Sequence, residues 1–169
     1  MKKIIYFFLI AFISISFVAC DDDDNDSSWK DKNLRAYQEV VKDSDFKEVS
    51  LPKGPEGIYR RKIKSGNGTE SPIQTSLVKI YYKGYYYDGT VFDSGTSAYD
   101  DATTASFYVS NLVRGFSVAL QTMVVGDRWE IVVPYYLGYG ATPNYSIVIP
   151  GYTTLFFEVE LVDFEQYPN

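Results

Sequence analysis

Tyr87-Asp88-Gly89-Thr90-Val91-Phe92-Asp93-Ser94, followed by Val113-Arg114-Gly115-Phe116, is the pair of segments on which the fold of this chain turns. Asp88-Gly89 lies between β-forming residues and predicts a tight hairpin. Just upstream, Val78, Ile80 and Tyr82 recur with a period of two, which places them on one face of a strand. Downstream, residues 111–124 carry a helical pattern. Phe116, Leu120 and Met123 fall on one stripe, Val113 comes a turn earlier, and Gly126-Asp127 is a stop and turn. Two further alternating runs follow, Trp129, Ile131, Val133 and then Leu155, Phe157, Val159, Leu161. Strands on either side of one short helix predict an α+β domain, an antiparallel sheet wrapped around that helix.

Working outward, residues 58–64 read as another strand, and Ser65-Gly66-Asn67-Gly68 after it as a turn. Residues 29–42 have amphipathic helical spacing, with Leu34, Tyr37 and Val41 on one face and Ser28 as a capping residue. Packing of that face on the domain is the favoured reading. Dimerisation and the holding of clients are the others.

Composition narrows the chemistry. The 169 residues include no histidine, which removes Ser-His and Cys-His nucleophilic catalysis and His-ligated zinc. Cys20 is the only cysteine, so no intrachain disulfide or Cys-rich metal site can form. No cofactor or metal is called for. The formal charge is -6, and Arg60-Arg61-Lys62 reads as the solvated part of a strand, so nucleic acid is not expected as a partner. Aromatics make up 17% of the chain, enough to build a core and also line a pocket. Activity must then rest on aromatics, hydroxyls, carboxylates and backbone groups.

The first residues read as an address. Lys2 and Lys3 precede an uncharged apolar stretch, residues 4–19, shorter than the roughly 20 residues of a membrane-spanning helix. It ends Phe17-Val18-Ala19-Cys20 and turns abruptly to Asp21-Asp22-Asp23-Asp24. This junction resembles a bacterial lipoprotein signal, which implies cleavage before Cys20 and lipidation of its thiol. The expected division is a signal peptide at 1–19, an acidic tether at 20–28, a helical extension and linker at 29–57, and the main domain at 58–169. The expected location is the cell envelope, at the outer membrane, on its periplasmic or surface face.

The ordered set of motifs resembles the FKBP-type peptidyl-prolyl cis-trans isomerases. It runs from Tyr82 and Gly84, through Val91-Phe92-Asp93-Ser94-Gly95, Val113-Arg114-Gly115 and Pro134-Tyr135-Tyr136-Leu137-Gly138-Tyr139-Gly140, to Ile149-Pro150 and residues 154–161. The resemblance implies a half-barrel sheet around one short helix. It implies that Tyr82, Asp93 and Tyr139 act in catalysis, Tyr139 offering its hydroxyl to substrate. Phe92 would line one side of a proline pocket. Leu112 and Val113 would form the rim, with the Val113 N–H free for a substrate carbonyl. Phe116 would be the floor, and Gly138, Val148, Ile149 and Phe157 would complete the site.

Three departures stand out. Phe116 replaces the tryptophan that most members carry, Ala105 stands where many place an aromatic wall residue, and no Arg or Lys lies between Ser94 and Phe107 to pair with Asp93. The segment 95–106 instead carries Tyr99, Asp100 and Asp101, a variant flap. The implied function is isomerisation of X-Pro bonds in unfolded or nascent exported polypeptides, with the family's macrolide inhibitors as further ligands and the membrane engaged through Cys20. A non-catalytic chaperone or proline-peptide-binding module is the alternative. The run Tyr85-Tyr86-Tyr87 admits a weaker reading, stacking on glycans.

Overall fold

The alternating runs become strands in the computed structural model, which describes residues 24–95, 104–144 and 148–167. In chain order the elements are α1 (Asp24–Lys42), β1 (Lys47–Val49), β2 (Ile58–Lys64), β3 (Leu77–Tyr85), β4 (Val91–Gly95), β5 (Ala105–Tyr108), α2 (Arg114–Leu120), β6 (Arg128–Val133) and β7 (Leu155–Glu165). All pairings are antiparallel, in the order β1-β2-β6-β7-β3-β4. The free edge of β3 is shared. Its first half, Leu77 to Ile80, pairs with β5, and its second half, Tyr82 to Tyr85, pairs with β4. The chain between β4 and β5, which holds the variant flap, lies outside the described residues, as does Cys20 with the signal segment.

Period-two burial puts Val78, Ile80, Ile131, Leu155, Val159 and Leu161 on one face, and these close on Phe116, Val118, Ala119 and Leu120 of α2. Each such side chain contributes about 1.5–3 kcal/mol by leaving water. The helix is shorter than its sequence pattern. Residues past Leu120 tighten into i→i+3 bonds, Thr122 N–H to the Ala119 carbonyl at 3.0 Å and Met123 N–H to that of Leu120 at 3.1 Å. Asp127, buried, then takes hydrogen bonds from the N–H groups of Gly66 and Val124, both at 2.9 Å.

That contact corrects the turn expected at 65–68. The glycines there serve close approach: a Cβ on Gly66 would lie 2.2 Å from the Val125 carbonyl oxygen. The basic run is also only partly solvated. Arg61 pairs with Glu130, whereas Arg60 and Lys62 lie over the buried Trp129 ring, at 4.5 and 5.3 Å from its centroid.

The opposite face of β6 and β7 is covered as well. Val132 and Phe156 form a second cluster with Val40 of α1 and Phe46, flanked by Ala36, Tyr37, Tyr59, Tyr85 and Tyr87. The favoured reading of the helix as a packed element therefore holds, but its register does not. It begins at Asp24, so Ser28 lies within it and is no cap, and its first residues overlap the stretch expected to be tether. Acidic composition suits the start of a helix, where free N–H groups carry positive potential. Its inward stripe runs Trp29, Asn33, Ala36, Tyr37, Val40; Val41 points outward. Asn33, fully buried, is the reason: a polar residue carries the dock, so a search for apolar spacing rotates the face by one residue. Among the described residues, no helix is long and apolar enough to cross a membrane.

Candidate active site

Four strands and α2 deliver aromatic side chains to one end of the enclosed face. Phe116 stacks on Phe157 of β7 with centroids 4.5 Å apart and planes at 17°. Phe92 of β4 stands edge-on to Phe157 at 5.9 Å, and Tyr82 of β3 edge-on to Phe107 of β5 at 5.6 Å. Ile149, buried, joins the same core, and Leu112 and Val113 pack half-buried at its border. Of the side chains named from sequence, Phe92, Leu112, Val113, Ile149 and Phe157 thus come together with Phe116. Glycines make the fit: a Cβ on Gly84 would lie 2.7 Å from the Phe92 ring, and one on Gly95 would lie 2.7 Å from the Tyr82 ring.

The polar groups converge beside this aromatic cluster. The Tyr82 hydroxyl donates to Asp93 Oδ2 at 3.0 Å. Burial first, then the Asp93 charge and this hydrogen bond, push the Tyr82 phenol well above its ordinary value. Burial and the same Asp93 charge also raise Tyr139, which is 37% exposed at the rim. Both phenols therefore stay protonated, and able to donate, throughout the neutral range. Asp93, which has no Arg or Lys between Ser94 and Phe107 to pair with, accepts from Tyr82 and is itself exposed.

Val113 precedes α2 in an extended conformation, and its carbonyl accepts from Ser117 N–H at 2.9 Å. Among the described residues none accepts a hydrogen bond from the Val113 N–H. Gly138 N–H bonds the Pro134 and Tyr135 carbonyls, both at 3.1 Å, and a Cβ there would lie 2.8 Å from Leu155. Gly138 thereby sets the chain direction into Tyr139.

Two residues are placed differently from expectation. Val148, at φ 55° and 80% exposed, contributes no apolar wall; its carbonyl accepts from the Tyr86 hydroxyl at 3.3 Å. Ala105 is small, but the aromatic wall is supplied two residues later by Phe107, on the same face of β5. The alternation of Ala105, Ser106 and Phe107 is the signal that could have found it. Tyr86 was also missed as a pocket residue; it lies against Phe92 at 5.0 Å. The run Tyr85-Tyr86-Tyr87 is occupied within the protein. Tyr85 donates to Glu130 at 2.6 Å and stacks on Phe156, while Tyr86 and Tyr87 both meet the Trp29 ring. No group of three carboxylate or thiol ligands comes together among the described residues.

Comparison with known proteins gives the same picture. A family model described as FKBP-type peptidyl-prolyl cis-trans isomerase matches residues 68–162. The chain is 30% identical to a macrophage infectivity potentiator of Trypanosoma cruzi over 167 residues, covering 93% of this chain and 83% of that protein. It is 37% identical over 108 residues to the outer membrane protein MIP of Legionella longbeachae, covering 64% of this chain and 44% of that one. Among solved structures, a peptidyl-prolyl cis-trans isomerase from Pseudomonas syringae superposes with a TM-score of 0.69 at 26% identity, covering 83% of this chain and 95% of that chain.

Proposed function

Since the chain belongs to the FKBP-type peptidyl-prolyl cis-trans isomerase family and is an isomerase of X-Pro bonds, we propose that it works from the slot floored by Phe116, with Tyr82, Asp93 and Tyr139 as its polar groups. The observation that carries this is the convergence of the Tyr82–Asp93 hydrogen bond and the Phe116–Phe157 stack at one end of the sheet.

The chemistry asks for no nucleophile. Cis and trans X-Pro differ by only about 0.5–1 kcal/mol, whereas the barrier between them is about 18–20 kcal/mol because rotation breaks amide resonance. A catalyst must favour the twisted amide over the planar one. The planar amide is the more charge-separated form and is the better stabilised by water. An apolar slot of Phe92, Phe116, Ile149 and Phe157 that strips water from it therefore lowers the barrier.

Phe116 has no ring N–H to offer. Donors to the substrate backbone are then the Val113 N–H and the Tyr139 hydroxyl, each held by the protein before substrate arrives. Tyr82 is engaged with Asp93, and burial together with the carboxylate charge raises both phenols above their ordinary value. Leu112 and Val113 form the rim, and Gly138 directs Tyr139. Substrates are proline-containing unfolded or nascent exported polypeptides, and macrolides that mimic a prolyl peptide compete for the slot.

The address at residues 1–24 supports an envelope enzyme anchored through a lipidated Cys20, with α1 leading directly into the domain. The outer-membrane name of the Legionella relative agrees with this placement. Titration with a short X-Pro peptide tests the slot. Ring signals of Tyr82, Phe92, Phe116 and Phe157 should shift together, with weaker binding in Tyr139→Phe; shifts confined to other surfaces would exclude this site.

A further inference from the structure

Two stretches border the open side of the slot, the β3–β4 turn at 86–90 and the segment 148–154. They touch at the Tyr86 hydroxyl and the Val148 carbonyl, 3.3 Å apart. Outside the sheet, the second stretch is held by its pairing of Asn144 with Ile149 and by Tyr152 N–H to the Gly140 carbonyl at 3.0 Å. One turn of α1 grips both stretches.

The Trp29 indole N–H donates to Thr153 Oγ1 at 3.1 Å, while its ring meets Tyr86 edge-on at 5.2 Å and Tyr87 at 5.5 Å. Four residues on, Asn33 Oδ1 accepts from Thr154 N–H at 2.9 Å, and the Asn33 carbonyl accepts from the Thr154 hydroxyl at 3.1 Å. The Asn33 amide donates back to the Trp29 carbonyl at 2.9 Å, which fixes its rotamer. Asn33, Thr153 and Thr154 are all buried, so these bonds are not exchanged for water at little cost. Lys30 adds its ammonium over the Tyr152 ring at 4.3 Å.

The grip reaches the slot on both sides. Tyr86 lies against Phe92, and Thr154 leads into β7, where Phe157 stands three residues on. Trp29 and Asn33 lie outside the residues matched by the family model, 68–162. We propose that Trp29 and Asn33 are positioning residues of the proline slot: α1 holds the 86–90 turn and the 148–154 segment together, and so sets the width of the mouth and the affinity for the prolyl peptide. This rests on the slot being the site of isomerisation.

The test compares Trp29→Ala with Val40→Ala. Both remove buried area from the same helix, but Val40 belongs to the cluster of Val132 and Phe156, whereas the hydrogen bonds and ring contacts to the two stretches come from Trp29 and Asn33. Steady-state isomerisation of an X-Pro peptide is measured at a temperature where both are folded, together with amide exchange at 86–90 and 148–154. The expected result for Trp29→Ala is KM raised about fivefold with kcat within about twofold, since uniform binding is lost and not a transition-state contact. Amide exchange should quicken in both stretches. Val40→Ala should leave KM and that exchange unchanged.

Trp29→Phe, which keeps a ring against Tyr86 and loses only the N–H to Thr153, should fall between wild type and Trp29→Ala; it also serves if Trp29→Ala fails to fold. Equal KM for Trp29→Phe and wild type, or equal KM shifts for the Trp29 and Val40 variants, would overturn the positioning role. Absence of any catalysis by the wild-type protein would instead overturn the isomerase slot itself.

Discussion

Gly84→Ala alters no catalytic group, yet it should slow the enzyme. The new Cβ would sit 2.7 Å from Cε2 and Cζ of Phe92 and 3.1 Å from Cε1 of Phe157, where carbon–carbon contacts prefer about 3.5–4.0 Å. Phe157 is buried and stacked on Phe116, so it cannot yield. Phe92 is half-buried and must swing outward by roughly an ångström to restore ordinary contact. Overpacking of this kind costs about 1–2 kcal/mol when a neighbour can move. Replacing glycine by alanine returns about 0.4–1 kcal/mol by restricting the unfolded chain. The net is about 1 kcal/mol of stability, a fall in Tm of roughly 2–4 °C for a chain of this length.

The slot loses about as much as the fold does. If the displaced Phe92 ring gives up on the order of 40 Å² of apolar contact with proline, at about 25 cal/mol per Å² the loss is about 1 kcal/mol. That corresponds to about a fivefold fall in kcat/KM. Thermal melting and NMR exchange on an X-Pro peptide read the two effects separately. Unchanged kcat/KM in a folded Gly84→Ala protein would refute Phe92 as a wall of the substrate site.

Other perturbations separate the remaining roles. Tyr82→Phe removes the hydroxyl that donates to Asp93. It should destabilise the protein by about 0.5–1.5 kcal/mol and lower kcat/KM several-fold, as measured by melting and exchange NMR. Tyr82 and Tyr139 both have raised pKa values in the fold, so the stability they confer is fully present below the unfolded tyrosine value near 10 and is lost only as pH climbs through the folded values. With no histidine in the chain, kcat/KM should stay flat from about pH 6 to pH 9; a titration step inside that window would contradict the assignment. Asp127→Ala strips the buried carboxylate from two N–H groups and should cost about 3 kcal/mol, seen as a lower Tm with activity per folded molecule intact. Expressed with its own leader, the protein should partition into detergent with an intact mass carrying acyl chains, and Cys20→Ser should be released into the aqueous phase.

What the sequence made legible was whatever depends on period. β3, β6 and β7 bury the residues their alternation selects, because successive side chains point to opposite faces of a sheet; the burial of Val132 and Phe156 on the other face, under α1, lies outside that pattern. The aromatic cluster around Phe116 and the Tyr82–Asp93–Tyr139 grouping follow the motif order, with Tyr82 on β3, Asp93 on β4, Phe157 on β7 and Phe116 on α2. The remainder depends on contacts that periodicity does not encode. Asn33 is polar and yet the most buried point of α1, so apolar spacing put Val41 inside and missed Val40. Ser65-Gly66-Asn67-Gly68 looks like a turn, but its glycines answer to the Val125 backbone from another part of the chain. Val148 has an apolar side chain and uses only its carbonyl. Phe107 shares a face of β5 with Ala105, and only the strand's alternation, not the motif position, points to it.

The most direct measurement is the cis–trans exchange rate of an X-Pro peptide, by NMR exchange spectroscopy, with the wild-type protein, Asp93→Ala and Tyr139→Phe at equal folded concentration. The uncatalysed bond turns over in tens to hundreds of seconds. The wild type should bring exchange into the sub-second range, with both variants slower by about tenfold while still folded. Exchange at the buffer rate with folded wild-type protein, or full activity in both variants, would contradict the slot as the seat of isomerisation.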